Sequence, residues 1–281
     1  MLVINNIKDL QKWRLEQCNK TVGFVPTMGY LHDGHMHLVK KAKQYTDLAV
    51  VSIFVNPLQF GANEDLDNYP KNLENDINIC KSHGVDLIFA PSANEIYSNG
   101  YPPKTTVHIE LLGNHLCGAT RKGHFDGVCT VVTKLFNLVK PNMAFFGQKD
   151  IQQLRIIETM VKELNMLIDI IPCTTQRTHD GLALSSRNSY LSVSEEKSAL
   201  IVPKVLNHLV SLIKQGETDT NTLITDGINL ISKTHSAKAD YLEIVDYNTL
   251  QPVNTVNGKI IIATAVFIGN TRLIDNIIWG D

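Results

Sequence analysis

The stretch Val22-Gly-Phe-Val-Pro-Thr-Met-Gly-Tyr-Leu-His-Asp-Gly-His-Met-His-Leu38 constrains this chain most. Val22 to Val25 is a short apolar run and reads as a buried strand. Pro26 and Gly29 break the run, and Gly34 stands just before an amphipathic pattern. Leu38, Val39, Ala42 and Tyr45 share one face at helical spacing, while Lys40, Lys41 and Lys43 cover the other. The segment is therefore strand, turn, helix, with His32 and His35 at the turn and the first helical residues. A helix start offers unpaired N–H groups and a positive potential that suit an anion. Two imidazoles there can add hydrogen bonds to phosphate oxygens, and charge if protonated. The same pair also reads as a plain helix cap or a surface cluster. With His37 it could begin a zinc site, although no Cys pair or HExxH helix completes a ligand set.

A length of 281 residues suffices for one large domain or two ordinary ones. A net charge of −2 argues against a dedicated nucleic-acid binder. The 5 cysteines are scattered without a CxxC pair, which suits free thiols in a reducing cytoplasm. No basic segment followed by an apolar run marks a signal peptide. No stretch reaches the roughly 18 apolar residues of a membrane span. The chain is expected to be cytoplasmic, with neither nucleic acid nor membrane as partner.

A helix is expected from about Ile7 to Gln17. After the histidine-bearing helix, Leu48 to Val55 reads as a fully buried strand of a parallel sheet. Asn56-Pro57-Leu58-Gln59-Phe60 follows it. Ligands of open α/β sheets bind beyond the carboxyl ends of strands, so Asn56 and Gln59 stand where a substrate could be read; an ordinary turn fits equally. Gly61–Pro70 is a polar, acidic loop, Leu73–His83 a helix and Asp86–Ala90 a strand. Thr105–Ile109 alternates enough to be another strand, at an edge or across a dimer interface. Arg121, Lys122 and His124 precede a helix expected from about Val128 to Val139. Basic residues at a helix start oppose the usual dipole preference and favour an anion site. Met143–Phe146 is a strand, followed by Gly147-Gln148-Lys149-Asp150. Here glycine allows close backbone approach, Lys149 suits phosphate, and Asp150 a ribose or metal; a solvated ion pair is the plainer alternative. A helix with Ile151, Leu154, Ile157, Met160 and Val161 buried comes next, then a strand over Leu167–Ile171.

After Pro172 the pattern changes. Gln176 to Asn188 is turn-rich, with Ser185 and Ser186 before Arg187, a set that suits polyphosphate or a flexible linker. Helices near Val193–Lys214 and Asp219–Thr234 precede strands near Ala239–Tyr247, Lys259–Val266 and Arg272–Ile278. The expected class is α/β, a doubly wound parallel sheet (residues 1–175) followed by a smaller α+β domain (176–281). His32, His35, Lys149, Ser185, Ser186 and Arg187 could together grip a triphosphate. There is no GxxxxGK[ST] loop, so attack at an α-phosphorus with pyrophosphate leaving is the better reading.

Long blocks of the sequence carry a resemblance. They are Pro26–Gly29 with His32-Asp-Gly-His35, Val51–Gly61, Asn63-Glu-Asp65, Gly123–Val128, Phe146–Asp150 with Gln152-Gln153, and Asp180–Asn188. In this order the chain resembles the pantothenate synthetase (pantoate–β-alanine ligase) family of the HxGH nucleotidyltransferase superfamily. The resemblance implies a Rossmann-like first domain and ATP-dependent joining of (R)-pantoate to β-alanine through a pantoyl-adenylate, with Mg2+ accompanying ATP. It implies ATP contacts from Met28, Gly29, Tyr30, Leu31, His32, Asp33, Gly34, His35, Gly147, Gln148, Lys149, Asp150, Gln176, Leu184, Ser185, Ser186 and Arg187. His35, His32, Lys149 and Arg187 would be catalytic, with His35 at the position usually assigned as acid. Gln59 and Gln153 match pantoate-binding positions, Gln59 also facing β-alanine. A homodimer is implied, and the loop Gly61–Pro70 and the small domain are expected to close over the site.

The chain departs from the family's pattern in several places. Tyr30 stands for a usual Ala, Asp33 for Glu, Cys117 for Glu, Lys122 for Pro and Leu184 for Met, and Thr178-His179 interrupts an acidic run. These departures bear on adenine-side contacts and substrate affinity more than on the reaction type. A nucleotidyltransferase with a stable product and a silent nucleotide sensor are the competing readings.

Overall fold

The computed structural model describes residues 1–61, 64–98 and 100–280. The elements in chain order are β1 (Leu2–Ile4), α1 (Ile7–Glu16), β2 (Val22–Thr27), α2 (Asp33–Tyr45) and β3 (Leu48–Ile53). Then come α3 (Leu73–Ser82), β4 (Leu87–Phe89), α4 (Ala93–Ile96), α5 (Cys117–Thr120), α6 (His124–Val139) and β5 (Met143–Gly147). They continue with α7 (Ile151–Glu163), β6 (Asp169–Cys173), α8 (Val193–Ala199), α9 (Ile201–Lys214) and α10 (Thr220–Ser232). The chain ends with β7 (Ala237–Asp246), β8 (Ile260–Ile268) and β9 (Thr271–Trp279).

Two compact units form. The larger comprises Met1–Glu110, Arg121–Gln148 and Gln153–Thr174; the smaller comprises Leu111–Thr120, Lys149–Gln152 and Thr175–Asp281. The larger unit holds a parallel sheet of 6 strands in the order β1-β4-β3-β2-β5-β6. The expected doubly wound α/β class is observed. Val25, Ala49, Val51, Ile88 and Phe145 of its strands are buried against Val39 and Ala42 of α2. Strand order reverses between β2 and β5, which makes their carboxyl ends the natural crevice for a ligand.

The smaller unit is an antiparallel sheet of 3 strands, β7-β8-β9. Val205, Leu206 and Leu209 of α9 and Leu223 and Ile231 of α10 bury its apolar face, together with Leu242, Ile244, Ile262 and Val266. The single helix expected over 193–214 is two helices, broken at Leu200. Pro203 has no N–H to donate to residue 199, so the first helix ends there.

Three other expectations are corrected. Thr105–Ile109 is not a strand, because Val107 N–H donates to Thr130 Oγ1 and Ile109 N–H to Asp126 Oδ1, both on α6. Helix α6 starts at His124, after Gly123 at φ 77°, so Asp126 supplies the acidic first turn that the sequence reading lacked. The strand expected over 167–171 lies at Asp169–Cys173, and Leu167 is 97% exposed. Pro172 sits within that strand, as an outermost strand permits. β1, which pairs with β4, was not anticipated from its three mostly exposed residues.

Helix α6 packs on the short turn Pro57–Gln59 that follows β3. A Cβ on Gly127 would come 2.4 Å from Leu58 O and 2.8 Å from Gln59 N. Gly127→Ala should therefore push this turn off the helix and cost about 1–3 kcal/mol of stability, read as a lower urea midpoint at unchanged slope. A midpoint equal to wild type would show that the turn yields freely.

Candidate functional site

Met28, Gly29, Tyr30 and Leu31 leave the carboxyl end of β2 on a tight path. Gly29 has φ 85° and Tyr30 φ 52°. Asp76 of α3, only 1% exposed, fixes that path by accepting from Tyr30 N–H at 2.9 Å and Leu31 N–H at 2.7 Å. Burial raises its carboxyl above the usual range although both bonds work the other way. A Cβ on Gly29 would meet Asp76 Oδ2 at 3.1 Å. Sequence reasoning missed Asp76. Its signal was a carboxylate four positions before Cys80, inside an apolar helix stripe; burial, then the Asp76 charge, pushes that thiol to about 12.

The loop delivers His32 as the N-cap of α2, with Asp33 and Gly34 next and His35 as third helical residue. His32 Nδ1 accepts from Gly34 N–H at 3.1 Å, and His35 Nδ1 accepts from His32 N–H at 3.3 Å. The two rings lie 4.1 Å apart, tilted at 44°. This is a capping box built from two histidines in place of the usual Ser/Thr and Glu. Both Nδ1 atoms are acceptors, so each capped ring is neutral and carries its proton on Nε2. In this geometry each ring can offer Nε2–H as a donor, so the cap and anion-site readings of the pair are compatible. Desolvation, then Lys41 and Lys40, lowers the pKa of His37.

Beyond β3, Gln59 is 8% exposed and its amide is held from within the same unit. Gln59 Nε2 donates to Met28 Sδ at 2.9 Å and Gln59 Oε1 accepts from Asn56 Nδ2 at 3.2 Å. The Gln59 carbonyl bonds His124 Nδ1 at 2.7 Å and accepts from Arg121 NH2 at 3.3 Å. Arg121 also donates to Glu64 through Nε at 2.8 Å. Arg121 and His124 of the basic cluster thus have internal partners and support the Pro57–Gln59 turn. Tyr69, near the other end of the Gly61–Pro70 loop, packs edge-on against Phe60 at 5.9 Å. Asn63 of the quoted block lies outside the described residues.

Gly147 ends β5, the neighbour of β2 in the sheet, Gln148 follows it, and Gln153 lies in the first turn of α7. The larger unit thus gathers Met28–His35, Gln59, Gly147, Gln148 and Gln153 on segments that leave its strands' carboxyl ends.

The smaller unit holds the other candidates. Lys149 Nζ stands 4.0 Å from Asp150 Oδ1. The Lys149 carbonyl accepts from Asn276 Nδ2 of β9 at 2.9 Å. The neighbouring Asp275, 2% exposed, accepts from both terminal nitrogens of Arg177, at 2.5 and 2.9 Å. Arg177 belongs to a tight hairpin in which Leu184 N–H bonds Gln176 O at 2.9 Å. Ser185 then caps a 3-10 turn, Ser186–Tyr190, by accepting from Arg187 N–H at 3.3 Å. Adjacent residues of β9 therefore anchor the Lys149 segment and the hairpin that leads to Ser185, Ser186 and Arg187. Cys117, where the family has Glu, has its thiol 3.4 Å from Tyr241 OH and 3.7 Å from Arg272 NH1.

The family model described as pantoate-beta-alanine ligase matches residues 2–278. A pantothenate synthetase of Caldicellulosiruptor saccharolyticus is 50% identical over 275 residues, covering 98% of this chain and 97% of the relative. One from Clostridium botulinum (strain Loch Maree) is 49% identical, with 98% of each chain covered. Among solved structures, pantothenate synthetase from Thermus thermophilus superposes with a TM-score of 0.93 at 41% identity, covering 99% of both chains. The Francisella tularensis pantoate-beta-alanine ligase, complexed with beta-gamma ATP and beta-alanine, gives 0.81 at 36% identity, covering 99% of this chain and 97% of that one.

The two functions of His32 can be separated. Asn keeps an N-cap acceptor but lacks the outward Nε2–H. His32→Asn should stay within about 0.5 kcal/mol of wild-type stability yet lose affinity for inorganic triphosphate, whereas His32→Ala should lose about 1 kcal/mol as well. Equal stability of both variants would show that the ring does not cap.

Glu64 gives a signed pH effect. Burial raises its pKa, but the bonds and charge of Arg121 outweigh this, so it titrates below its usual 4.5. Its stabilising contribution is present above that value and is lost as pH falls through the lower folded value. Glu64→Gln should flatten the acid limb of the stability curve, and an unchanged limb would refute the pairing.

Proposed function

The chain belongs to the pantoate–β-alanine ligase family, and from that membership we infer that it condenses (R)-pantoate with β-alanine at the expense of ATP. The first step joins a pantoate carboxylate oxygen to the α-phosphorus and expels pyrophosphate. In the second, the neutral amine of β-alanine attacks the acyl carbon of pantoyl-adenylate, AMP leaves with the former carboxylate oxygen, and the amine proton passes to solvent. The observation that carries the site assignment is the reciprocal His32–His35 cap on the segment that leaves β2, the strand that pairs with β5 in the sheet.

In this proposal ATP lies along Met28–His35, Gly147–Asp150, Gln176 and Leu184–Arg187. The carboxylate and the α-phosphate repel one another, so binding must hold them in line, and Gln59 and Gln153 do so without adding charge. Lys149 and Arg187 neutralise the growing charge of pyrophosphate, and the Nε2–H groups of His32 and His35 donate to its oxygens. His35 acts as a hydrogen-bond donor, consistent with its neutral tautomer, more than as a proton source. Mg2+ enters with the triphosphate as part of the substrate, held mainly by phosphate oxygens and water.

The acyl-adenylate is open to hydrolysis, so the proposal includes closure: residues 1–175 bind nucleotide and pantoate, and the loop Gly61–Pro70 and residues 176–281 shield them. A homodimer working in the cytoplasm completes the reading. It follows the family resemblance and the free state of Cys18, Cys80, Cys117, Cys129 and Cys173.

Pyrophosphate exchange into ATP tests the reading. It should require pantoate but not β-alanine, and Lys149→Ala should slow it by about 10²–10³. Exchange without pantoate would contradict the first step. ATP with pantoate should also protect the loop Gly61–Pro70 from protease, and equal cleavage with and without them would remove the closure.

A further inference from the structure

Tyr97, which ends α4, belongs to none of the sequence blocks above. Its ring lies 6.3 Å from that of Phe54 and 6.0 Å from that of Tyr101, with Lys134 Nζ 5.7 Å from its centre. Its hydroxyl donates to Asn56 Oδ1 at 2.6 Å. Asn56 is 1% exposed, so each of its amide atoms needs a partner.

The orientation of a side-chain amide follows from its bonds. Leu58 N–H also donates to Asn56 Oδ1, at 3.3 Å, and the Gly127 carbonyl accepts from Asn56 Nδ2 at 3.1 Å. These two backbone groups turn Oδ1 toward Tyr97, so the phenol, which could otherwise donate or accept, is a second donor to Oδ1. Two donors at one end and a carbonyl at the other leave Asn56 a single orientation. Asn56 Nδ2 then faces Gln59 Oε1 at 3.2 Å. With Oε1 engaged, Gln59 presents Nε2, which among the described residues meets the weak thioether acceptor Met28 Sδ.

We infer that Tyr97 is a positioning residue that sets, through Asn56, the direction of the Gln59 amide, so that Gln59 meets pantoate as a hydrogen-bond donor. The inference rests on the assignment of Gln59 to pantoate made above. It explains how a neutral amide, able to donate or accept, is committed to reading an oxygen. A flipped Gln59 would turn its carbonyl toward an acceptor-only carboxylate and repel it.

Steady-state kinetics of Tyr97→Phe, Gln59→Met and the double variant test this. Phe keeps the ring and its packing and removes only the donor. Tyr97→Phe should raise the pantoate KM about tenfold, one hydrogen bond's worth, with the ATP KM within about twofold of wild type. In the Gln59→Met background the same change should add less than about twofold, because the relay then has no end. An unchanged pantoate KM, or an equal penalty in both backgrounds, would overturn the inference and reduce Tyr97 to a packing residue. If Gln59→Met alone leaves the pantoate KM unchanged, the pantoate assignment fails instead, and the relay loses its purpose. Should Tyr97→Phe not fold, the wild-type side-chain NH2 signals of Gln59, identified by their loss in Gln59→Met, decide the matter. Saturating pantoate should shift them if Gln59 donates, and unmoved signals would contradict the inference.

Discussion

The reciprocal cap between His32 and His35 is the constraint on which the larger unit's site depends. A helix start must satisfy its first N–H groups, and Ser, Thr or Asp does so with an oxygen. Histidine does so with one ring nitrogen and carries a second on the same ring. Using Nδ1 for the fold fixes the tautomer and places the proton on Nε2. Loop geometry and donor chemistry are thus settled by the same two bonds. The buried carboxylate of Asp76 holds the preceding turn and keeps the cap residue in register. Its raised pKa shows that burying the charge costs more than the two N–H bonds return, a price accepted at a site that must be rigid.

The same economy recurs in both units. Gln59 is fixed at its carbonyl by His124 and Arg121 and at its amide by Asn56, so a residue on a short turn gains the rigidity of α6 and α4 behind it. In the smaller unit, Asp275 and Asn276 of β9 hold the Arg177 hairpin and the Lys149 segment. Loops that carry chemistry are therefore tied to regular elements by buried polar bonds, which keeps functional groups in place without lengthening any helix or strand.

Elements with a strong period were legible in the sequence. The strand, turn and helix at 22–45, the buried stripe of α7 and the three carboxyl-terminal strands all appear close to where their patterns put them. Three exposed-edge residues were too few to announce β1. Thr105–Ile109 alternates like a strand, but its N–H groups are taken by Thr130 and Asp126, side chains far along the chain. The candidate residues themselves were legible through the long motif blocks. Their supports were not. Asp76, Tyr97 and Asn276 act through contacts between residues 41 or more positions apart, and no local pattern encodes such a pairing. The protonation of the histidines was also beyond the sequence, since it follows from which ring nitrogen the backbone occupies.

The account turns on that tautomer. Nitrogen-15 NMR of the chain labelled in histidine, with His32 and His35 assigned by single substitution, measures it directly at neutral pH. The cap requires an unprotonated, pyridine-type Nδ1 and a protonated, pyrrole-type Nε2 in both rings. A proton on Nδ1 of either ring, or a charged ring with both nitrogens protonated, would contradict the capping box and with it the claim that the fold chooses the donors.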